Sequence, residues 1–162
     1  MGKNNLKVEK AVSEDASPII ALAKQEMAPI VQLAWRDGYD WEEWDDNLKE
    51  AINDSIMEKV HVYLDPGVST RKIAAFTWIT FEPLSMWIEA FVIDFPFQRR
   101  GYGTFILGWL IDNFVKPNKL HAVKLGVQKN NSKAVKFYKK HGFEEESFLD
   151  NINTIIMQKT VK

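Results

Sequence analysis

Residues 91 to 107, Phe-Val-Ile-Asp-Phe-Pro-Phe-Gln-Arg-Arg-Gly-Tyr-Gly-Thr-Phe-Ile-Leu, read as a strand that passes through a basic, glycine-punctuated turn into a helix. The chemistry of such a turn is diphosphate binding. Gly101 and Gly103 let the backbone turn without a Cβ clash and aim successive N–H groups at one point. The helix opening near Gly103 brings its positive dipole end to the same point. Main-chain amides from Gln98 to Thr104, Tyr102 included, would then wrap the diphosphate, and Arg99 and Arg100 would add fixed positive charge. Elsewhere such an arginine pair is a solvated loop; the place beside the glycines is what favours phosphate.

Two further side chains have types suited to moving protons. Glu89 interrupts the apolar run Trp87-Ile88-Glu89-Ala90-Phe91-Val92 just before the turn, where a carboxylate is costly unless it is used or solvated. Ordinary strand alternation would equally put it on an outer face. Tyr138 stands one helical turn after Ala134, and a phenol of ordinary pKa about 10 can protonate a thiolate. Its spacing leaves two roles open, a proton donor or a core aromatic beside Phe137 and His141.

The elements that must position these groups follow from periodicity. Leu6 to Ala11 alternates as a half-buried strand, and Ser13, Glu14, Asp15 and Pro18 mark the start of a helix to about Met27. Pro29 and Arg36-Asp37-Gly38 are expected to break the helical pattern into short turns and loop between Ala28 and Asp40. Trp41, Trp44, Leu48, Ile52 and Ile56 then form the stripe of an amphipathic helix. Val60 to Leu64 and Lys72 to Thr80 make a hairpin closed at Asp65-Pro66-Gly67. The strand Met86 to Asp94 leads through the glycine turn into a helix that buries Ile106, Leu107, Leu110, Ile111 and Phe114 and stops at Pro117-Asn118. His121 to Val127 is a strand, Asn131 a helix N-cap, and Ser132 to His141 a helix ended by Gly142. Phe143 to Phe148 and Asn153 to Gln158 close the chain as strands. The class is α+β around a mixed, mostly antiparallel sheet with flanking helices. Met86 to Asp94 and His121 to Val127, joined through one helix, should run parallel and leave a gap at their ends for a ligand.

Composition narrows the function classes. At 162 residues the chain is read as one domain, 1–162, able to bury a core without metals or disulfides. It contains no cysteine, which excludes disulfide and thiolate chemistry and suits a reducing compartment. Its three histidines, His61, His121 and His141, lack the spacings of a zinc site, so no metal is expected. A net charge of −1 argues against nucleic-acid binding through a broad basic field. No apolar run is long enough to span a bilayer or serve as a signal peptide. A soluble cytoplasmic protein, monomer or homodimer, is expected.

The element order and two motifs together resemble the GNAT superfamily of acetyl-coenzyme A dependent N-acetyltransferases. Gln98-Arg99-Arg100-Gly101-Tyr102-Gly103 is similar to the family's Gln/Arg-x-x-Gly-x-Gly/Ala pyrophosphate loop. Asn130-Asn131-Ser132-Lys133-Ala134-Val135-Lys136-Phe137-Tyr138-Lys139-Lys140-His141-Gly142-Phe143 is similar to its Asn-x-x-Ala-x-x-x-Tyr-x-x-x-Gly-Phe signature. The resemblance spans nearly the whole chain. It implies acetyl-coenzyme A as acyl donor, with Val92 and Ile93 pairing through their backbones to the pantetheine arm. It also implies that Asn131, Ala134 and Phe137 flank the cofactor, that Tyr138 is the acid for the leaving thiolate, and that Glu89 is the base for the amine. As relatives often rely on positioning, Glu89→Gln is expected to slow the reaction modestly.

The acceptor is the least legible part. Trp35 to Asp46 mixes aromatic and acidic residues suited to an amine cation, yet Trp41 and Trp44 already belong to the helix stripe. Trp35, Asp37 and Tyr39, which precede the stripe, remain the candidates for substrate contact. Without cysteine or a Gly-x-Ser-x-Gly elbow, no covalent enzyme intermediate is expected. The alternative reading is a non-catalytic acyl-coenzyme A sensor.

Overall fold

The computed structural model describes residues 6–34, 38–53 and 57–162. Seven strands form one sheet in the order β1-β2-β3-β4-β5-β7-β6: β1 Lys7–Lys10, β2 Glu58–Leu64, β3 Ile73–Phe81, β4 Ser85–Ile93, β5 Ala122–Gln128, β6 Glu144–Leu149 and β7 Thr154–Thr160. Every neighbouring pair is antiparallel except β4 with β5. The helices are α1 Ala16–Ala34, α2 Trp41–Asn53, α3 Tyr102–Leu110 and α4 Ser132–Lys140. The expected fold class and the parallel pair are therefore observed.

Two apolar clusters lie on opposite faces of the sheet. Ile19, Leu22 and Ala23 of α1 and Trp44, Leu48 and Ile52 of α2 pack against Val60, Val62, Phe76, Trp78, Ala90 and Val92. Ile106, Leu107 and Leu110 of α3 pack with Ile79, Met86, Ile88, Val123, Leu125 and Met157 on the other face. Within α2 the stripe predicted from Trp44, Leu48 and Ile52 is buried, and Asp40 caps it by accepting from the Glu43 amide at 2.9 Å. Ile56 lies outside the described residues.

The predicted break at Pro29 is corrected, because α1 runs through it to Ala34. Proline removes one helical hydrogen bond and crowds the carbonyl four residues back. Here the ring sits on the exposed side, while Val31 is wholly buried on the other. Tertiary contact holds the turn, helped by Asn130, whose Nδ2 donates to the Ile30 carbonyl at 3.2 Å. The extra turns carry α1 over the mouth of the gap between β4 and β5. Ser13–Asp15 opens the first helical segment as a 3-10 turn. After Leu110 the chain widens into a π turn, Ile111–Val115.

His61 is buried beside Trp109 and Phe114, with ring centroids 5.1 and 5.3 Å away, and its Nδ1 has no partner among the described residues. Burial, followed by the nearby charges of Lys10 and Lys59, pushes its pKa down to about 4. The unfolded chain takes up a proton near pH 6.5 that the folded ring refuses. Stability is therefore at its full value above about pH 6.5 and declines as pH falls toward about 4, by about 3 kcal/mol for this one group. Urea midpoints at several pH values should show this slope in the native protein and lose it in His61→Phe.

Candidate active site

The site begins with a break in a strand. β3 and β4 pair Trp78 with Ala90 and Ile79 with Ile88, leaving Glu89 as the extra residue of a β-bulge. A bulge shifts the side-chain alternation by one, so Met86 and Ile88 face the α3 cluster while Ala90 and Val92 face the α1 and α2 cluster. The parallel ladder to β5 covers Ser85 to Ile88 against Ala122 to Leu125 and ends there. Beyond it the strands diverge. The ordinary alternation that would have made Glu89 an outer-face charge is absent.

The gap that opens is a cavity of about 640 Å³ between the free edges of β4 and β5, walled by α1 on one side and α4 on the other. Of the candidates read from sequence, Glu89, Val92, Ile93, Gln98, Arg99, Gly101, Gly103, Thr104, Asn131, Ala134, Phe137 and Tyr138 line it. Arg100 and Tyr102 are not on its wall. The guanidinium of Arg100 lies over the Phe97 ring, 5.7 Å from its centroid, and Tyr102 packs against the same ring at 6.3 Å. Phe97, in the short Phe95–Phe97 3-10 turn, is buried, and Tyr102 beside it packs on the α3 cluster. Trp35 and Asp37 lie outside the described residues.

At the loop, Arg99 has φ of 61° and Gly101 φ of 82°, the left-handed conformation that curls successive amides toward one side. Gly101 is the residue before α3, and a Cβ there would meet nothing, so its backbone conformation is what calls for glycine. Gly103 is different. A Cβ at that position would stand 2.9 Å from Phe137 Cε1, so its role is to let α3 and α4 approach. The N–H groups of the first turn of α3 face the cavity end with the positive helix dipole.

Gln98 proves to be a brace. Its Nε2 donates to the Ile93 carbonyl at 2.8 Å, and its Oε1 accepts from Lys133 Nζ at 2.9 Å. Asn131 caps α4, accepting from the Ala134 amide at 3.3 Å. Lys133 and Lys140 also line the cavity and are residues that sequence reasoning missed. Their spacing to Phe137, four and three residues, puts all three on one face of α4, a signal present in the sequence. Ile30 and Val31 were missed because they follow from the continuation of α1, and Glu26 and Met27 because the packing of that helix on the gap is a tertiary contact.

Glu89 accepts from Thr80 Oγ1 at 3.0 Å. Its carboxyl is pushed above the usual range by desolvation and by the carboxylates of Glu58 and Glu82, with the Thr80 bond opposing. Tyr39 begins a ladder of edge-to-face rings, 4.8 Å from Trp41, which continues to Trp44 and Trp78. Burial, then the charges of Glu89 and Glu43, push its phenol up to about 12. Tyr138 lines the cavity with its ring between Phe137 and Phe143, 5.4 and 5.3 Å away. Burial raises its phenol well above the ordinary value, so it stays protonated at neutral pH. Its hydroxyl has no hydrogen-bond partner among the described residues. Taken together, the cavity offers backbone N–H donors at one end, a carboxyl raised above the usual range toward the other, and a protonated phenol on α4.

The sequence profile of the acetyltransferase (GNAT) family matches residues 25–143. Over 74 residues the chain is 30% identical to the spermine/spermidine N(1)-acetyltransferase of Bacillus subtilis; this covers 46% of the chain, which spans about half, 49%, of that relative. Among solved structures, the PaiA N-acetyltransferase of Thermoplasma acidophilum in complex with coenzyme A superposes with a TM-score of 0.79 at 17% identity, over 96% of this chain and 99% of that one. A chimera of the Vibrio cholerae spermidine N-acetyltransferase SpeG and hSSAT gives 0.69 at 19% identity, over 96% of each chain. At these identities the two superpositions speak for the fold.

Proposed function

The chain belongs to the GNAT family of acetyltransferases, and from that premise we propose that it passes the acetyl group of acetyl-coenzyme A directly to an amine. One observation carries the reading: the divergence of β4 and β5 joins the amide-lined loop, Glu89 and Tyr138 in a single cavity. The chemistry of its walls suits the donor. Arg99, Lys133 and Lys140, with the first-turn amides of α3, would hold the diphosphate. The unpaired edge of β4 beyond Ile88 would take the pantetheine arm as an added strand. When bound, acetyl-coenzyme A supplies an acyl carbon activated by its thiol leaving group. Glu89 accepts the surplus proton of the acceptor nitrogen, and Tyr138 holds the proton destined for the departing sulfur.

The acceptor in this reading is a polyamine. The carboxylates of Glu58 and Glu82 act on Glu89 from outside the cavity wall, and such negative surroundings favour an acceptor with more than one positive charge. Spermine and spermidine, after which the Bacillus subtilis relative is named, have that property. An acyl donor made inside cells and a chain without cysteine support a cytoplasmic setting, with the protein acting as monomer or homodimer.

Thiol release from acetyl-coenzyme A in the presence of different amines tests the proposal. Release should depend on spermidine or spermine and be weaker with monoamines of similar basicity. Tight coenzyme binding with no amine-dependent release would make the protein a sensor instead. The pH profile tests Glu89. Because its carboxyl titrates above the usual range, kcat/KM should fall on the acid side at a higher pH than an ordinary glutamate allows. Glu89→Gln should remove that limb and lower kcat/KM by about tenfold, at or below the low end of general-base effects because water can relay the proton. An unchanged limb would move the role of base elsewhere.

A further inference from the structure

His141 closes α4 with both ring nitrogens engaged. Its Nδ1 lies 2.8 Å from the Phe137 carbonyl oxygen, which only accepts, so Nδ1 carries a hydrogen. Its Nε2 lies 2.8 Å from Thr104 Oγ1. The ring stacks on Phe137 at 4.3 Å and 24°, which fixes its plane. Two protonation states then have opposite consequences for Thr104. With a neutral ring, Nε2 is an acceptor, Thr104 must spend its one hydrogen on it, and the hydroxyl shows only lone pairs to the cavity. With an imidazolium, Nε2–H donates to Oγ1 and the threonine hydrogen is released toward the cavity.

Thr104 is the third residue of α3 and lines the cavity where the first-turn amides are unpartnered. An anion there gains from a donor hydroxyl and is repelled by lone pairs. We propose that binding of the coenzyme A diphosphate draws one proton onto His141, which turns the Thr104 hydroxyl into a donor to that diphosphate; His141 is thus a cofactor-positioning residue. The inference rests on the coenzyme A reading above.

The surrounding charges agree with it. Arg99 from the loop and Lys133 and Lys140 from α4 line the same cavity, and Lys159 of β7 donates to the His141 carbonyl at 2.7 Å. Lys139, also on α4, is paired with Glu145 at 3.1 Å. Of the cavity's carboxylates, Glu26 accepts from Gln98 Nε2 at 3.4 Å and Glu89 from Thr80 Oγ1 at 3.0 Å. An arriving diphosphate brings negative charge beside cations held on the loop, on α4 and on β7.

Calorimetry with 3′-dephospho-coenzyme A tests the linkage, because this probe keeps the fully ionised diphosphate and lacks the phosphomonoester that itself titrates near pH 6. In two buffers of different ionisation enthalpy near pH 7, the native protein should show proton uptake approaching one per ligand bound. Its affinity should tighten as pH falls from about 8 to about 6. His141→Gln should abolish the uptake and weaken binding at the lower pH by about tenfold, the scale of one charge-assisted hydrogen bond. Thr104→Val should lose affinity at the lower pH and keep it at the higher one, a pattern that a packing role would not produce. Equal uptake in native protein and His141→Gln, or an equal Thr104→Val loss at both pH values, would overturn the linkage while leaving coenzyme A binding intact. If the probe and coenzyme A both fail to bind, the coenzyme A reading falls, and this inference with it.

Discussion

Tyr138→Phe is expected to lower kcat by about 100- to 1000-fold, within the range of a lost general acid, while coenzyme A affinity stays close to native. The two effects separate because the hydroxyl does no structural work. It has no hydrogen-bond partner among the described residues, whereas the ring makes the contacts with Phe137 and Phe143. Phenylalanine preserves those contacts and removes only the proton donor. The raised phenol sharpens the expectation. Its folded value is above the ordinary one, so the donor form persists through and beyond the usual tyrosine range, and the native alkaline limb should belong to another group. Steady-state kinetics with calorimetric coenzyme A titrations would decide. An unchanged kcat would make Tyr138 a packing residue, and a parallel loss of affinity would show that the ring has moved.

Arg71→Ala should produce the largest loss of stability, about 3 kcal/mol, at the low end of the cost of breaking a buried ion pair because the guanidinium is partly exposed. Asp15 is 2% exposed at the entry to α1. Arg71 grips it through Nε to Oδ1 at 2.9 Å and Nη2 to Oδ2 at 2.8 Å, and also pairs with Glu9 through Nη1. Removing the guanidinium leaves a buried carboxylate with one remaining donor, the Val12 amide. The expected fall in Tm is about 6–12 °C for a chain of this size. Burial alone would raise the Asp15 carboxyl, but the bonds from Arg71 and Val12 outweigh it and hold the carboxyl below its ordinary value. The pair's contribution is therefore present above the usual carboxylate range and is lost as pH falls through the lowered value. Adding Asp15→Asn to Arg71→Ala should recover part of the loss at pH 7, since the charge no longer needs its partner. A single variant within about 0.5 kcal/mol of native in urea unfolding would refute the assignment.

Legibility follows the range of the interaction. The loop from Gln98 to Thr104 could be read because each of its requirements is local: positive φ at Gly101, amides on consecutive residues, and a helix that starts at once. The Asn131 cap and the α2 stripe were legible for the same reason. Arg100 illustrates the limit. Its type and position favour the diphosphate, but the direction of its side chain was set by Phe97, which the 3-10 turn buries beneath the loop. The length of α1 depended likewise on Val31 finding a buried site beyond Pro29.

The amino-acid order by itself determined most element types, the glycine turn before α3 and the residue types available for proton transfer, because backbone propensity and local hydrogen bonding act over a few residues. Only the tertiary structure decided what those residues can do together. The bulge at Glu89 exists through the register of β4 against β3, and the cavity exists because β4 parts from β5 after Ile88. The braces of Gln98 and His141 bridge residues up to 37 positions apart. Such pairings depend on which partner each strand and helix meets, and that is settled by burying two apolar faces of one sheet at once.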